Sequence, residues 1–196
     1  MRRRTLTAVL MAAALSSSLS ACFPLLATGV VGATMVATDR RTSGAYVDDQ
    51  GIEIKARHQV ESRLPSAHVN ITSYNRAVLM TGEVPSEAAR AEAELIVRGV
   101  PNVRKVYNHT VVAPASGITE RNQDTWITTK IRTNLLNAQG FNPSHVKVVT
   151  ERGVTYVFGL VTQAEGEAAA AAVSRTAGVQ KVVTLFEYIA EVQPAS

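Results

Sequence analysis

Residues 68–84 read HVNITSYNRAVLMTGEV, and residues 145–161 read HVKVVTERGVTYVFGLV. His68-Val69-Asn70-Ile71 stands against His145-Val146-Lys147-Val148, and the residues that follow keep step until Gly82 falls on Gly159. In the second stretch, two β-branched runs, 146–150 and 154–161, flank Glu151-Arg152-Gly153, the pattern of two strands around a turn. Downstream, Val103-Arg104-Lys105-Val106 meets Val179-Gln180-Lys181-Val182 after a one-residue slip, and upstream residues 60–64 meet residues 131–135. The period of about 65–70 residues is too long for a solenoid repeat and about the smallest that folds alone, so the chain reads as two tandem copies of one small domain.

Outside the paired runs the hydrophobic period changes in the same order in each copy. Ile127, Ile131 and Leu135 recur at i, i+4, i+8 and predict a helix over 126–137, with Asp124 as its N-cap and Gly140 ending the run. An alanine-rich helix over 164–176 and a β-branched strand over 179–189 complete the second copy. The first copy has a helix ending near Leu64, strands over 69–72 and 78–84, a helix over 86–98 and a strand over 103–112. Pro65 and Pro101 fall in connections, where they interrupt nothing. The order αββαβ, twice, predicts an α+β fold in which each domain is a three-stranded sheet with two helices on one face. The expected boundaries are 51–113 and 121–191, with a Pro/Ser/Gly-bearing linker over 114–120 and a tail over 192–196. Gly82 and Gly159 are expected to be structural, at places where a helix crosses tightly over the sheet.

Composition narrows the function. There are 20 Lys+Arg against 16 Asp+Glu, but Arg2, Arg3 and Arg4 stand together at the start, and without them 17 basic residues face 16 acidic. A broad basic surface for nucleic acid is therefore not expected. Residues 1–21 read as a secretory signal, with a charged start, an apolar stretch over 6–15 and small residues after it. Leu19-Ser20-Ala21-Cys22 then resembles the bacterial lipobox, which implies acylation of Cys22, the only cysteine. Several acyl chains on one residue would hold stably in a membrane, where a single chain would not. By the sorting rule that goes with this motif, Phe23 rather than an aspartate after the cysteine points to the outer membrane. Residues 23–38 are apolar but short and carry Gly29 and Gly32, so a tether near the lipid surface is expected there rather than a span. Residues 39–51 read as polar linker, so that 22–50 forms the acylated cysteine and its linker.

Those features together resemble the BON-domain family (bacterial OsmY and nodulation), and within it the outer-membrane lipoproteins that carry two such domains. The residues that carry the likeness are Ala37-Thr38-Asp39, Val47-Asp48-Asp49, Val106-Tyr107-Asn108, Asp124 through Lys130 and Gly159-Leu160-Val161-Thr162. The resemblance implies binding to anionic phospholipid, chiefly by the second domain, and support of outer-membrane integrity and envelope biogenesis, without catalysis. The stretch the resemblance associates with lipid contact is Asp124 to Lys130. On the expected helix Trp126, Lys130, Thr133 and Asn134 turn away from the core stripe. The expected lipid-binding set is these four with Ile127 and Ile131, together with Tyr74 and Tyr107 as candidate lining residues from the first domain.

A search for chemistry agrees with a non-enzymatic role. His58, His68, His109 and His145 form no HxxxH or Cys/His pattern, so neither a metal nor any other cofactor is expected. No nucleophile elbow, Walker loop or dinucleotide fingerprint is present. Trp126, the only tryptophan, has two readings: a ring at a lipid headgroup surface beside Lys130 and Arg132, or a ring packed on the first domain or on its own helix. The resemblance favours lipid. Val154, Tyr156, Phe158 and Leu160 line one strand face, opposite the expected helices, while Ala77, Leu79, Thr81 and Glu83 are the more polar equivalents. Such an apolar strip needs a partner, either the first domain or something outside the chain; interdomain packing is the expectation. The rival function is a periplasmic protein-interaction scaffold that modulates outer-membrane protein assembly.

Overall fold

A computed structural model of the chain describes residues 39–190. The signal segment 1–21, Cys22, the apolar residues 23–38 and the tail 192–196 lie outside the described residues.

Helix α1 spans Ser43–Arg63 and buries Ala45, Asp49, Ile52, Ala56 and Val60, one stripe at three- and four-residue spacing. It therefore begins well inside the stretch expected to be linker. Thr42 caps it, its hydroxyl accepting from the Ala45 amide at 3.1 Å. Gly44 and Gly51 each weaken a helix by about 1 kcal/mol, which is why the sequence there looks like linker. The buried stripe and the Asp49 side chain outweigh them. Strand β1 (His68–Tyr74) pairs antiparallel with β2 (Ala77–Val84), and α2 (Glu87–Arg98) then carries the chain over to β3 (Lys105–Asn108), which runs parallel to β2. A two-residue strand, β4 (Val111–Val112), continues along the same side of β2.

The second copy repeats the path. Helix α3 spans Ile118–Asn137, a 3-10 turn covers Pro143–His145, and β5 (Val146–Glu151) pairs antiparallel with β6 (Val154–Val161). Helix α4 (Gln163–Ser174) leads to β7 (Lys181–Tyr188), parallel to β6. The start of α3 takes in part of the expected linker, and Asp124 is not its N-cap. Asp124 lies in the second turn, buried, where its carboxylate accepts from the backbone N–H groups of Arg152 and Gly153 at 2.7 and 2.9 Å.

Asp49 does the same in the first copy, accepting from Asn75 N–H at 2.8 Å and Arg76 N–H at 2.7 Å. Both hairpins place two consecutive residues at positive φ, Asn75 (50°) and Arg76 (65°), Arg152 (51°) and Gly153 (73°). That left-handed turn matches the twist of the flanking strands but costs energy in non-glycine residues. Helix-borne aspartates holding both turn amides offset the cost. The two aspartates also correct the repeat: the helices align with Asp49 on Asp124, not with 60–64 on 131–135. The sequence alignment had slipped by four residues, one helical turn, which leaves a buried stripe looking the same.

In each copy the helices cover one sheet face. Ile52, Val60, Ile71, Val78, Met80 and Val97 belong to the first core, and Ile127, Ile131, Leu135, Val148, Val157 and Val173 to the second. The other faces meet. Tyr74, Ala77 and Leu79 pack against Tyr156, Phe158 and Leu185 in a third apolar cluster, which is the interdomain packing expected of the apolar strip. All eight positions of β2 are buried, as a strand covered on both faces requires. Phe158 stacks on Tyr74 with ring centroids 5.9 Å apart and meets Tyr107 edge-on at 6.4 Å. Polar contacts ring the cluster: Tyr74 Oη donates to His145 O at 3.0 Å, Lys147 pairs with Glu53 at 2.8 Å and Arg104 with Glu187 at 2.6 Å. The two domains form one compact unit.

Gly82 has φ 97°, and a Cβ there would overlap the carbonyl oxygen of His68 on the neighbouring strand. At Gly159 a Cβ would come 3.0 Å from His145 O. In neither case is the close neighbour a crossing α-helix: at Gly82 it is the backbone of β1, and at Gly159 it is the end of the 3-10 turn before β5, with the Val161 side chain equally near.

Candidate lipid-docking helix and interdomain groove

Helix α3 carries the candidate site, and burial divides it into three strips. Asp124, Ile127, Ile131 and Leu135 face the core. Arg121, Thr125, Thr128, Thr129 and Arg132 turn towards the first domain, where they line a groove of about 550 Å³. The remaining side faces solvent, and Trp126 lies on it, 64 % exposed. Ile118 and Leu136, 78 % and 73 % exposed, stand between the last two strips. Large apolar side chains left in water on one helix, beside arginines, match the make-up of a membrane-interface helix.

The structure sorts the sequence-expected residues. Trp126 and Thr133 are exposed on α3. Asn134 is exposed too, with its amide donating to Thr176 Oγ1 at 2.8 Å. Lys130 is half-buried and spends a hydrogen bond on Ala177 O at 2.7 Å. Four expected lipid contacts fall away. Ile127 and Ile131 are 2 % and 0 % exposed in the second core, and Tyr74 is 3 % exposed at the domain interface, where Tyr107 also packs. Burial pushes the Tyr74 phenol up to about 12, consistent with a ring shut away from water. Arg132, which the sequence set beside Trp126, is exposed, and the structure adds Ile118, Arg121 and Leu136, and Arg57 from the first domain.

The groove lies between α1 and β1 of the first domain and α3 and β5 of the second. Its acidic residues are already engaged. Asp124 holds the hairpin, and Glu151 accepts from Asn70 Nδ2 at 2.8 Å and Thr81 Oγ1 at 3.3 Å. Burial pushes the Glu151 carboxyl up, helped by the negative charges of Asp124 and Glu83. Glu83, 1 % exposed, is gripped by His68 Nδ1 at 3.0 Å and Arg152 at 3.1 Å. Burial alone would raise its carboxyl, but those donors and the Ser116 amide hold it below the usual range. Of the remaining histidines, His109 packs on Tyr156 with centroids 4.9 Å apart, His145 faces the Glu165 carboxylate at 3.7 Å, and His58 is exposed.

Comparisons with known proteins agree with this architecture. Residues 48–114 and 123–190 each match the BON domain. The chain is 34 % identical to the outer membrane lipoprotein DolP of Haemophilus influenzae over 174 residues, 87 % of this chain and 90 % of that protein. It is 30 % identical to a 21 kDa hemolysin of Actinobacillus pleuropneumoniae, over 77 % of this chain and 79 % of that protein. Against the osmotically inducible protein Y of Escherichia coli it is 30 % identical, over 71 % of this chain and 72 % of that protein. The two domain matches and the likeness to the H. influenzae lipoprotein, in keeping with the repeated αββαβ path, place the chain in the BON-domain family, as a member with two tandem BON domains.

Proposed function

We propose that this protein is a non-enzymatic outer-membrane lipoprotein, anchored through acylated Cys22, whose second BON domain docks on anionic phospholipid and so supports envelope integrity. The observation that carries the docking is the surface of α3. Ile118, Trp126 and Leu136 are each more than three-fifths exposed, and Arg121 and Arg132 flank them without an ion-pair partner among the described residues. A tryptophan ring sits at the headgroup level of a bilayer, and each cation near an anionic surface contributes about 1 kcal/mol. The acyl anchor would supply residence in the membrane, and the helix would supply discrimination among lipids. A weak contact suffices, because an anchored domain meets lipid at high effective concentration. Likeness to the H. influenzae lipoprotein and the Leu19-Ser20-Ala21-Cys22 motif support the location.

The test uses residues 39–196, without the anchor, and vesicles of phosphatidylglycerol mixed with phosphatidylcholine or of phosphatidylcholine alone. Trp126 emission should move to the blue with the anionic vesicles only, and salt should reverse the shift. Trp126→Ala should stay folded and fail to co-sediment. Equal binding by that variant, or binding to neither vesicle, overturns the reading, and the exposed face of α3 then becomes a contact for a protein partner such as the outer-membrane assembly machinery.

A further inference from the structure

The described residues include 12 arginines, and seven of them lie in ion pairs. Of the five that do not (Arg57, Arg63, Arg121, Arg132 and Arg175), three line the same interdomain groove: Arg57, Arg121 and Arg132. The groove's own carboxylates are held by Asn70, Thr81 and the β5–β6 hairpin. Arg57 and Arg132 are also equivalent in the repeat, each eight residues after the hairpin-holding aspartate, Asp49 or Asp124. The two copies thus present the same cation to one cleft from opposite sides. Threonine hydroxyls at 125, 128 and 129 complete the wall contributed by α3. Thr125 and Thr129 donate their hydroxyls to the carbonyls of Arg121 and Thr125 at 2.9 and 3.0 Å, so the groups that suit the oxygens of a phosphate are the guanidinium groups and the Thr128 hydroxyl.

The groove does not end in polar surface. Arg132 and Val148 also line an adjoining hollow of about 300 Å³ whose other walls include Leu135, Leu136, Pro143 and Val146. Cationic cleft and apolar hollow meet at Arg132, beside the exposed Leu136. A free phosphate or a nucleic acid would have no use for the second half, whereas a phospholipid has both a charged head and an apolar body. Resting on the docking reading above, we propose that this groove seats a single anionic phospholipid, with its phosphate among Arg57, Arg121 and Arg132 and its glycerol-acyl part over the hollow beside Leu136. Lipid recognition would then belong to both domains at once, with Arg57 as the contribution of the first.

The experiment compares Arg57→Gln with Arg63→Gln in residues 39–196. Both remove one unpaired positive charge from the same helix, but only Arg57 lines the groove. Co-sedimentation with phosphatidylglycerol-containing vesicles should fall about five-fold for Arg57→Gln, the effect of one cation at an anionic headgroup, and less than about two-fold for Arg63→Gln. In a parallel titration, dihexanoylphosphatidylglycerol below its micelle concentration should shift the Arg57 and Arg132 side-chain Nε resonances saturably, and inorganic phosphate should do so only at much higher concentration. If the two variants weaken binding equally while Trp126→Ala still abolishes it, the groove proposal is overturned and the helix-surface reading stands. Equal potency of inorganic phosphate overturns the lipid assignment. If the parent protein binds no anionic vesicle, the docking reading fails, and this proposal with it.

Discussion

Phe158→Ala probes the contact that makes one body of two domains. Phe158 is 1 % exposed and packs on Tyr74 and Tyr107, both from the other domain. A buried aromatic side chain covers about 150–250 Å², which at about 25 cal/mol per Å² corresponds to about 4–6 kcal/mol as an upper bound. Phe→Ala changes in cores cost about 3–5 kcal/mol, and we expect a value in that range. The location of the loss matters as much as its size. Val157, the next residue, points to the opposite face and belongs to the helix-covered core of the second domain. Val157→Ala should cost about 2 kcal/mol and leave the interface intact. Urea unfolding followed by helical circular dichroism and by Trp126 emission, with small-angle scattering in the absence of urea, separates the two. Phe158→Ala should enlarge the particle and make the two unfolding probes diverge, because the domains uncouple. Val157→Ala should lower the midpoint with dimensions unchanged. A loss below about 1 kcal/mol for Phe158→Ala, with unaltered dimensions, would refute the argument that this cluster couples the domains.

Three further outcomes follow from the hairpins and the charged contacts. Gly82→Ala should cost about 2–5 kcal/mol, since it combines a φ of 97° with overlap of the His68 carbonyl, and Gly159→Ala only about 1–2 kcal/mol, since just the close approach applies; thermal unfolding gives both. Asp124→Ala leaves two turn amides without a partner, at about 1–3 kcal/mol each. Asp49→Ala should cost more in the same denaturation assay, because Asp49 also accepts from Ser73 Oγ at 2.7 Å and from Arg41 at 2.8 Å. Hydrogen bonds and charge from Arg40 hold the Glu165 carboxyl down at about 2. A depressed carboxylate stabilises the fold fully above its unfolded value near 4.5 and loses that contribution as pH falls towards 2. Arg40→Gln should flatten the stability–pH curve in that acid window; an unchanged slope would show that the pair contributes nothing.

Alternation made the interdomain strip legible. Val154, Tyr156, Phe158 and Leu160 repeat with period two, and helices expected on one face leave the other in need of cover. The hairpin order was equally plain, because β-branched runs and the shared glycine leave few other readings. The start of α1 was hidden by Gly44 and Gly51, whose low propensity is overcome by tertiary bonds from Asp49 that no local pattern shows. Aspartates that look like caps can sit a turn or more inside a helix when a hairpin needs them, as Asp124 does. Tyr74 and Tyr107 looked available for lipid, since a strand tyrosine is as often wet as dry until the opposing sheet is known. Unpaired arginines were beyond reach altogether. Arg57 and Arg132 look like Arg76 or Arg98 in the sequence, and only the placement of distant carboxylates decides which are already satisfied.

The clip at the entrance to the folded unit bears on how the protein carries load. Just before α1, Arg40 reaches the second domain, gripping Glu165 through both Nη atoms at 2.5 and 2.9 Å and donating to Leu160 O at 3.0 Å. Arg41, the next residue, binds Asp49 of the first domain and lies over the Tyr74 ring, 4.3 Å from its centroid. A pull applied to the chain at Asp39 is therefore divided between the two domains at its point of entry. Tension from an anchor would strain these side-chain clips before it reached the N-terminal turn of α1, and the pair of domains would move as one piece.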